Sequence, residues 1–129
     1  MEQDVQRAPG RSLRNGRLGR FGEERAVAWL EARGFRVLER NWRCARGEID
    51  IVAWDCCTLA FIEVKTRSGA ATGHPFEAIT AAKLTRMRRL VPEWFDAHPG
   101  VSARAVRVDV VAVHVDGPRT VVEHLAGVL

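Results

Sequence analysis

Gly47-Glu48-Ile49-Asp50-Ile51-Val52-Ala53-Trp54, a break at Asp55-Cys56-Cys57-Thr58, and Leu59-Ala60-Phe61-Ile62-Glu63-Val64-Lys65 decide how this chain is read. The two apolar runs predict antiparallel strands joined by a tight turn. A hairpin symmetric about the break sets Trp54 against Leu59, and therefore Asp50 against Glu63 and Glu48 against Lys65. Directly opposed residues share one sheet face, with Cβ atoms about 4.5–5.5 Å apart. Two carboxylates held that close repel, and the strands around them offer little water. A cation between them relieves both penalties, and a divalent metal is the obvious candidate.

Period-two alternation places Glu63 and Lys65 on the same face of their strand, with Asp50 arriving from the neighbour. The carboxylates suit Mg²⁺ or Mn²⁺, with a backbone carbonyl and waters completing a hard oxygen shell. Such a cation polarises a phosphate oxygen and acidifies a bound water. Lys65 beside it can orient that water and steady the charge that grows on phosphorus. Phosphodiester hydrolysis fits this arrangement. The same residues also read as a partly buried ion pair of Lys65 with Glu48 or Glu63, and spacing alone leaves both readings open.

Outward from the hairpin, Leu18 to Arg33 has helical periodicity, with Phe21, Ala26, Val27, Trp29 and Leu30 on its apolar side and Gly34 as the stop. Phe35 starts a strand running to about Arg43. Arg67 to His74 reads as a loop, and Pro75 suits the first turn of a helix that is bent or ended near Pro92. Val106–Val115 and Thr120–His124 are the last strands, on either side of an Asp116-Gly117-Pro118 turn. The order α-β-β-β-α-β-β, with near-continuous apolar strands, predicts a three-layer α/β/α fold around a mixed five-stranded sheet.

With 129 residues, 47% apolar and 28% charged, the chain fits one globular domain over residues 17–129 behind a flexible Arg-rich arm at 1–16. No apolar run approaches the ~20 residues that cross a bilayer, and the first residues lack the apolar core of a signal peptide. A cytoplasmic protein with no membrane partner is expected. Cys44, Cys56 and Cys57 form no disulfide framework or zinc spacing. The net charge of +4 is uneven, because residues 1–20 hold five Arg against Glu2 and Asp4. Charge by itself is therefore weak evidence for nucleic acid.

Further residues bear on a phosphate ligand. Lys83 falls in an apolar stripe with Ile79, Met87, Leu90 and Trp94, so it either snorkels to an edge or reaches into the site. Arg67 lies just beyond the Glu-x-Lys strand and Arg43 at the entrance to the Asp50 strand. Each could grip a backbone phosphate or join a surface ion pair. Glu23 and Glu24 sit where acids favour a helix start, and Arg107 with Asp109 reads as a local ion pair.

Gly19-Arg20-Phe21-Gly22-Glu23-Glu24-Arg25-Ala26, Asn41-Trp42-Arg43, Gly47-Glu48-Ile49-Asp50 and Phe61-Ile62-Glu63-Val64-Lys65-Thr66-Arg67 together resemble the YraN-like proteins. These form an uncharacterised bacterial family of the restriction-endonuclease-like PD-(D/E)xK superfamily, related to Holliday-junction resolvases. The likeness continues through Pro75-Phe76-Glu77-Ala78-Ile79, Lys83 and Arg107-Val108-Asp109-Val110-Val111. It implies a restriction-endonuclease-like fold and a metal-dependent endonuclease acting on DNA, with branched or structured DNA among the candidate substrates. Asp50 and Glu63 would be metal ligands, Lys65 the catalytic lysine and Glu23 a further acidic site residue. A resolvase-like role also implies a two-fold homodimer. The same fold serves non-catalytic nucleic-acid-binding modules and components of DNA-processing complexes, so likeness of fold alone does not establish cleavage.

Overall fold

The computed structural model describes residues 9–69 and 80–128, with side chains from residue 16 onward. Its elements are α1 (Pro9–Ala32), β1 (Arg36–Cys44), β2 (Gly47–Asp55), β3 (Thr58–Ser68), α2 (Ala81–Ala97), β4 (Ala105–Asp116) and β5 (Arg119–Leu125). The strands form one sheet in the order β1-β2-β3-β4-β5, antiparallel except for the parallel pair β3–β4. A parallel pair requires a long crossover, and the chain through α2 provides it. The fold is α/β, with one helix on each face of a mixed five-stranded sheet.

Alternation along β3 creates the two cores. Leu59 and Phe61 face α2, where they meet Leu90 and Trp94. Ala60 and Ile62 face α1, where they meet Ala26 and Leu30. Burying each large apolar side chain contributes roughly 1.5–3 kcal/mol. Trp94 is fully buried, edge-on to Phe61 at 5.4 Å, and its Nε1–H donates to Glu39 Oε1 at 2.9 Å. His98, stacked on Trp94 at 3.9 Å, also reaches Glu39, so the end of α2 is pinned to β1.

α1 ends because Gly34 takes φ 92°, which lets Phe35 N–H bond Leu30 O at 3.1 Å and Gly34 N–H bond Glu31 O at 3.0 Å. Its other end differs from expectation. The helix begins at Pro9 rather than Leu18, so the second half of the stretch read as an arm is helical backbone. Residues 1–8 lie outside the described residues. Phe21 is 44% exposed, because the line facing the sheet runs through Gly22, Ala26 and Leu30, 100° away.

α2 runs past Pro92 to Ala97. Pro92 is on the exposed side, where the carbonyl it leaves unpaired is open to solvent, and buried Trp94 anchors the final turn. The expected helix start at Pro75 lies outside the described residues. Arg67 and Ser68, read as loop, are the last residues of β3 and pair with His114 and Val115.

One topological detail positions the site. β2 pairs with β3 only from Asp55↔Thr58 to Ile51↔Ile62, while β3 stays with β4 as far as Ser68. The two strands of the hairpin therefore part beyond Ile51, and Asp50 is the first residue in the gap.

Candidate active site

The hairpin register is the expected one, with Trp54 against Leu59, up to the point where the ladder stops. There Asp50 Oδ2 accepts a hydrogen bond from Val64 N–H at 2.8 Å, so a carboxylate replaces a backbone carbonyl as acceptor. Its other oxygen has no partner among the described residues. Burial, and next the charge of Glu63, push the Asp50 carboxyl up to about 8 against the pull of the Val64 bond; Glu23 and Glu48 add to the rise.

Thr66 packs against Gly22 of α1, so the alternate residues Glu63 and Lys65 point to the α2 side. Glu63 Oε2 meets Lys83 Nζ at 3.2 Å. Lys83 thus reaches into the site. Glu48 pairs with Arg43 across β1–β2 at 3.7 Å. Lys65 has no ion-pair partner among the described residues, so the pairing with Glu48 or Glu63 that its spacing allowed is taken by other cations. It lines the cleft.

Glu23 enters from α1 and is clamped, with Asn41 Nδ2 at 2.7 Å and Arg40 Nη2 at 3.2 Å. Arg40 also holds Glu24 at 3.1 Å. Burial opposes the Arg40 charge, but the bonds to Glu24 and Glu23 outweigh it and raise its pKa. Because α1 starts at Pro9, neither acid is at a helix N-terminus, and the dipole account of them does not hold. Asn41 adopts φ 55° within β1, a left-handed conformation that asparagine tolerates better than most residues. A Cβ on Gly22 would lie 1.9 Å from Thr66 Oγ1, so only glycine lets α1 approach β3 closely enough to bring Glu23 to the cleft.

These residues share an open cleft of about 860 Å³ whose wall includes Glu23, Arg43, Asp50, Glu63, Lys65 and Lys83. Arg67 continues the Glu63–Lys65 face but is not on this wall. Two residues that the sequence reading passed over belong to it, Arg20 and Asn41. The signals were available: Arg20 is one helical turn before Glu23, and Asn41 precedes Trp42 and Arg43 in a motif already singled out. Arg107 and Asp109 do form an ion pair, at 2.8 Å, but it lies in the sheet with His124 and Gly127 as further partners of Asp109.

The donor set fits a small hard cation. Asp50 and Glu63 offer carboxylate oxygens, and the repulsion that lifts Asp50 is what a divalent charge would remove. Among the described residues no group of three His, Cys, Asp or Glu is disposed to hold a metal. Two carboxylates are what Mg²⁺ or Mn²⁺ would use, with water and phosphate oxygens filling the remaining positions. No helix among the described residues is long and apolar enough to cross a membrane.

Residues 22–113, which contain Glu23, Asn41, Arg43, Asp50, Glu63, Lys65, Arg67 and Lys83, match the model of "Uncharacterised protein family UPF0102". The chain is 54% identical over 112 residues to a UPF0102 protein of Beutenbergia cavernae, covering 86% of this chain and 94% of that one. It is 54% identical over 114 residues to one from Arthrobacter sp. strain FB24, with the same coverage. The UPF0102 protein of Streptomyces coelicolor is 49% identical over 115 residues, 88% of each chain. With this span and these identities, the chain belongs to the uncharacterised UPF0102, or YraN-like, family.

Proposed function

We propose that this protein is a metal-dependent endonuclease of the PD-(D/E)xK kind that hydrolyses phosphodiester bonds in DNA. The observation that carries the reading is the gap where β2 leaves β3. There Asp50, pushed up to about 8, and Glu63 converge beside Lys65, which has no ion-pair partner among the described residues. Asp50 and Glu63 would hold Mg²⁺ or Mn²⁺, which supplies, when bound, charge stabilisation at a phosphate oxygen and a more acidic water. The chain's own residues do the rest. Val64 N–H fixes one oxygen of Asp50, so the carboxylate cannot swing out of the gap. Lys65 places positive charge where negative charge accumulates as water attacks phosphorus and the ester oxygen departs. Glu23, held by Arg40 and Asn41, adds negative charge to the far wall and raises Asp50 further. Arg43 and Arg67 supply backbone-phosphate contacts, which orient a strand without reading its sequence.

Purified protein with Mg²⁺ or Mn²⁺ is expected to cut at least one of duplex, single-stranded, flap and four-way-junction DNA. Cleavage should disappear in Asp50→Ala/Glu63→Ala and fall by about 10²–10³-fold in Lys65→Ala. Absence of cutting on all four substrates would overturn the catalytic reading. One observation favours a second reading, a DNA-binding module without turnover: Glu63 is already neutralised by Lys83. Oligonucleotide binding that survives Asp50→Asn, with no cleavage by either protein, would select it.

A further inference from the structure

Lys83 is the only cation of the described residues in contact with the acid pair, and its geometry suits departure as well as contact. Its backbone is fixed, because it is the third residue of α2 and its N–H donates to the Thr80 cap at 3.1 Å. Its side chain is not fixed in the same way. Among the described residues its ammonium makes one ion pair, 3.2 Å to Glu63 Oε2, with the lysine 34% and the glutamate 14% exposed. Lys83 also stands between two openings, the main cleft and a smaller cavity of about 240 Å³ bordered by Gly47, Arg86 and Met87. Its ammonium can leave Glu63 in either direction without repacking the core.

Charge gives the reason to leave. Among the described residues, one ammonium neutralises Glu63, while Asp50 has only a backbone N–H. A divalent cation satisfies both carboxylates, and repulsion at a few ångströms prevents it from sharing Glu63 with the lysine. A lysine is a point charge on a flexible stem, whereas arginine would grip the carboxylate with a planar two-pronged fork. We propose that Lys83 is an exchangeable counter-ion: it holds Glu63 in the metal-free protein, and a divalent cation displaces it into the cleft. The inference rests on the metal reading of Asp50 and Glu63. It makes cation loading and the release of a phosphate-binding lysine one event.

Calorimetric Mn²⁺ titration of the full chain tests it, comparing wild type with Lys83→Met, Lys83→Arg and Arg86→Met. Lys83→Met should bind Mn²⁺ about tenfold more tightly and Lys83→Arg more weakly than wild type. Arg86→Met removes a charge one turn along without touching Glu63, and should stay within about twofold of wild type because that charge is solvent-screened. Thermal melting provides the second measure. Lys83→Met should melt below wild type in EDTA, and the difference should close in saturating Mn²⁺. Unchanged or weaker Mn²⁺ binding by Lys83→Met, an equal gain in Arg86→Met, or a melting gap that persists with Mn²⁺ would each overturn the inference and leave the metal site standing. If wild type binds no more Mn²⁺ than Asp50→Asn does, the metal reading falls and the inference falls with it.

Discussion

Asp50 ordinarily ionises near 3.8, but in the folded chain burial and the charge of Glu63 push it up to about 8. Between those values the folded state binds more protons than the unfolded one, so stability falls as pH rises through the window. Asp50→Asn keeps an amide oxygen for Val64 N–H and removes the titration. It should be more stable than wild type above pH 8 by roughly 1–3 kcal/mol, with the pH 4–8 slope reduced. Urea unfolding at pH 5 and pH 8.5 measures both effects, and a variant less stable than wild type at pH 8.5 would contradict the assignment. Asp109 has the opposite sign. Burial works against its charge, but bonds from His124, Arg107 and Gly127 outweigh that and hold it below its usual range. Its contribution is therefore present above about pH 4 and lost as pH falls through the lowered folded value. Asp109→Ala leaves Arg107 with Asp55 at 3.0 Å but removes the acceptor of Gly127 N–H and the partner of His124, and should cost about 1–3 kcal/mol at neutral pH, read from the urea midpoint.

Between elements, the contact of Gly22 with Thr66 is the tightest constraint, since a Cβ there would sit 1.9 Å from Oγ1 and 2.8 Å from Cβ of Thr66. Gly22→Ala must push α1 off β3, for an expected loss of about 2–3 kcal/mol. Thr66→Ala in the same chain should recover part of that loss. An unchanged melting temperature in Gly22→Ala alone would mean that α1 is not held there. This contact also marks where the sequence stopped being informative. The hairpin register was legible because it depends on local features, a two-residue turn and period-two alternation, even though Cys56 takes φ 57° without being glycine. The end of the ladder at Ile51 was not legible, because β3 follows a parallel partner more than forty residues away in sequence. The start of α1 was hidden by an Arg- and Gly-rich stretch without apolar period. Asp50, Glu63 and Lys65 could be read from strand alternation, whereas the clamp of Arg40 and Asn41 on Glu23 depends on how a helix meets an edge strand.

At the scale of the whole molecule, the helical start at Pro9 changes where the positive charge lies. Residues 1–8 carry Arg7 against Glu2 and Asp4, so they are net acidic, while Arg11, Arg14, Arg17 and Arg20 are carried on α1. Of these, Arg20 lines the cleft beside Glu23. A polyanion approaching the cleft therefore meets acids as well as cations, and its attraction depends on few phosphate contacts and on salt. Removing residues 1–8 should leave the affinity for a DNA oligonucleotide unchanged, although the stretch was read as part of a basic arm. Replacing Arg11, Arg14, Arg17 and Arg20 with glutamine should weaken binding and flatten the plot of log affinity against log salt. The slope should fall by about one unit for each arginine that meets a phosphate. Fluorescence anisotropy from 50 to 200 mM salt, with Ca²⁺ in place of Mg²⁺, gives both slopes, and circular dichroism confirms that the variant keeps its helices. If the quadruple variant retains the wild-type slope, α1 is not part of the DNA-facing surface, and the phosphate contacts must come from Arg43, Lys65, Arg67 and Lys83.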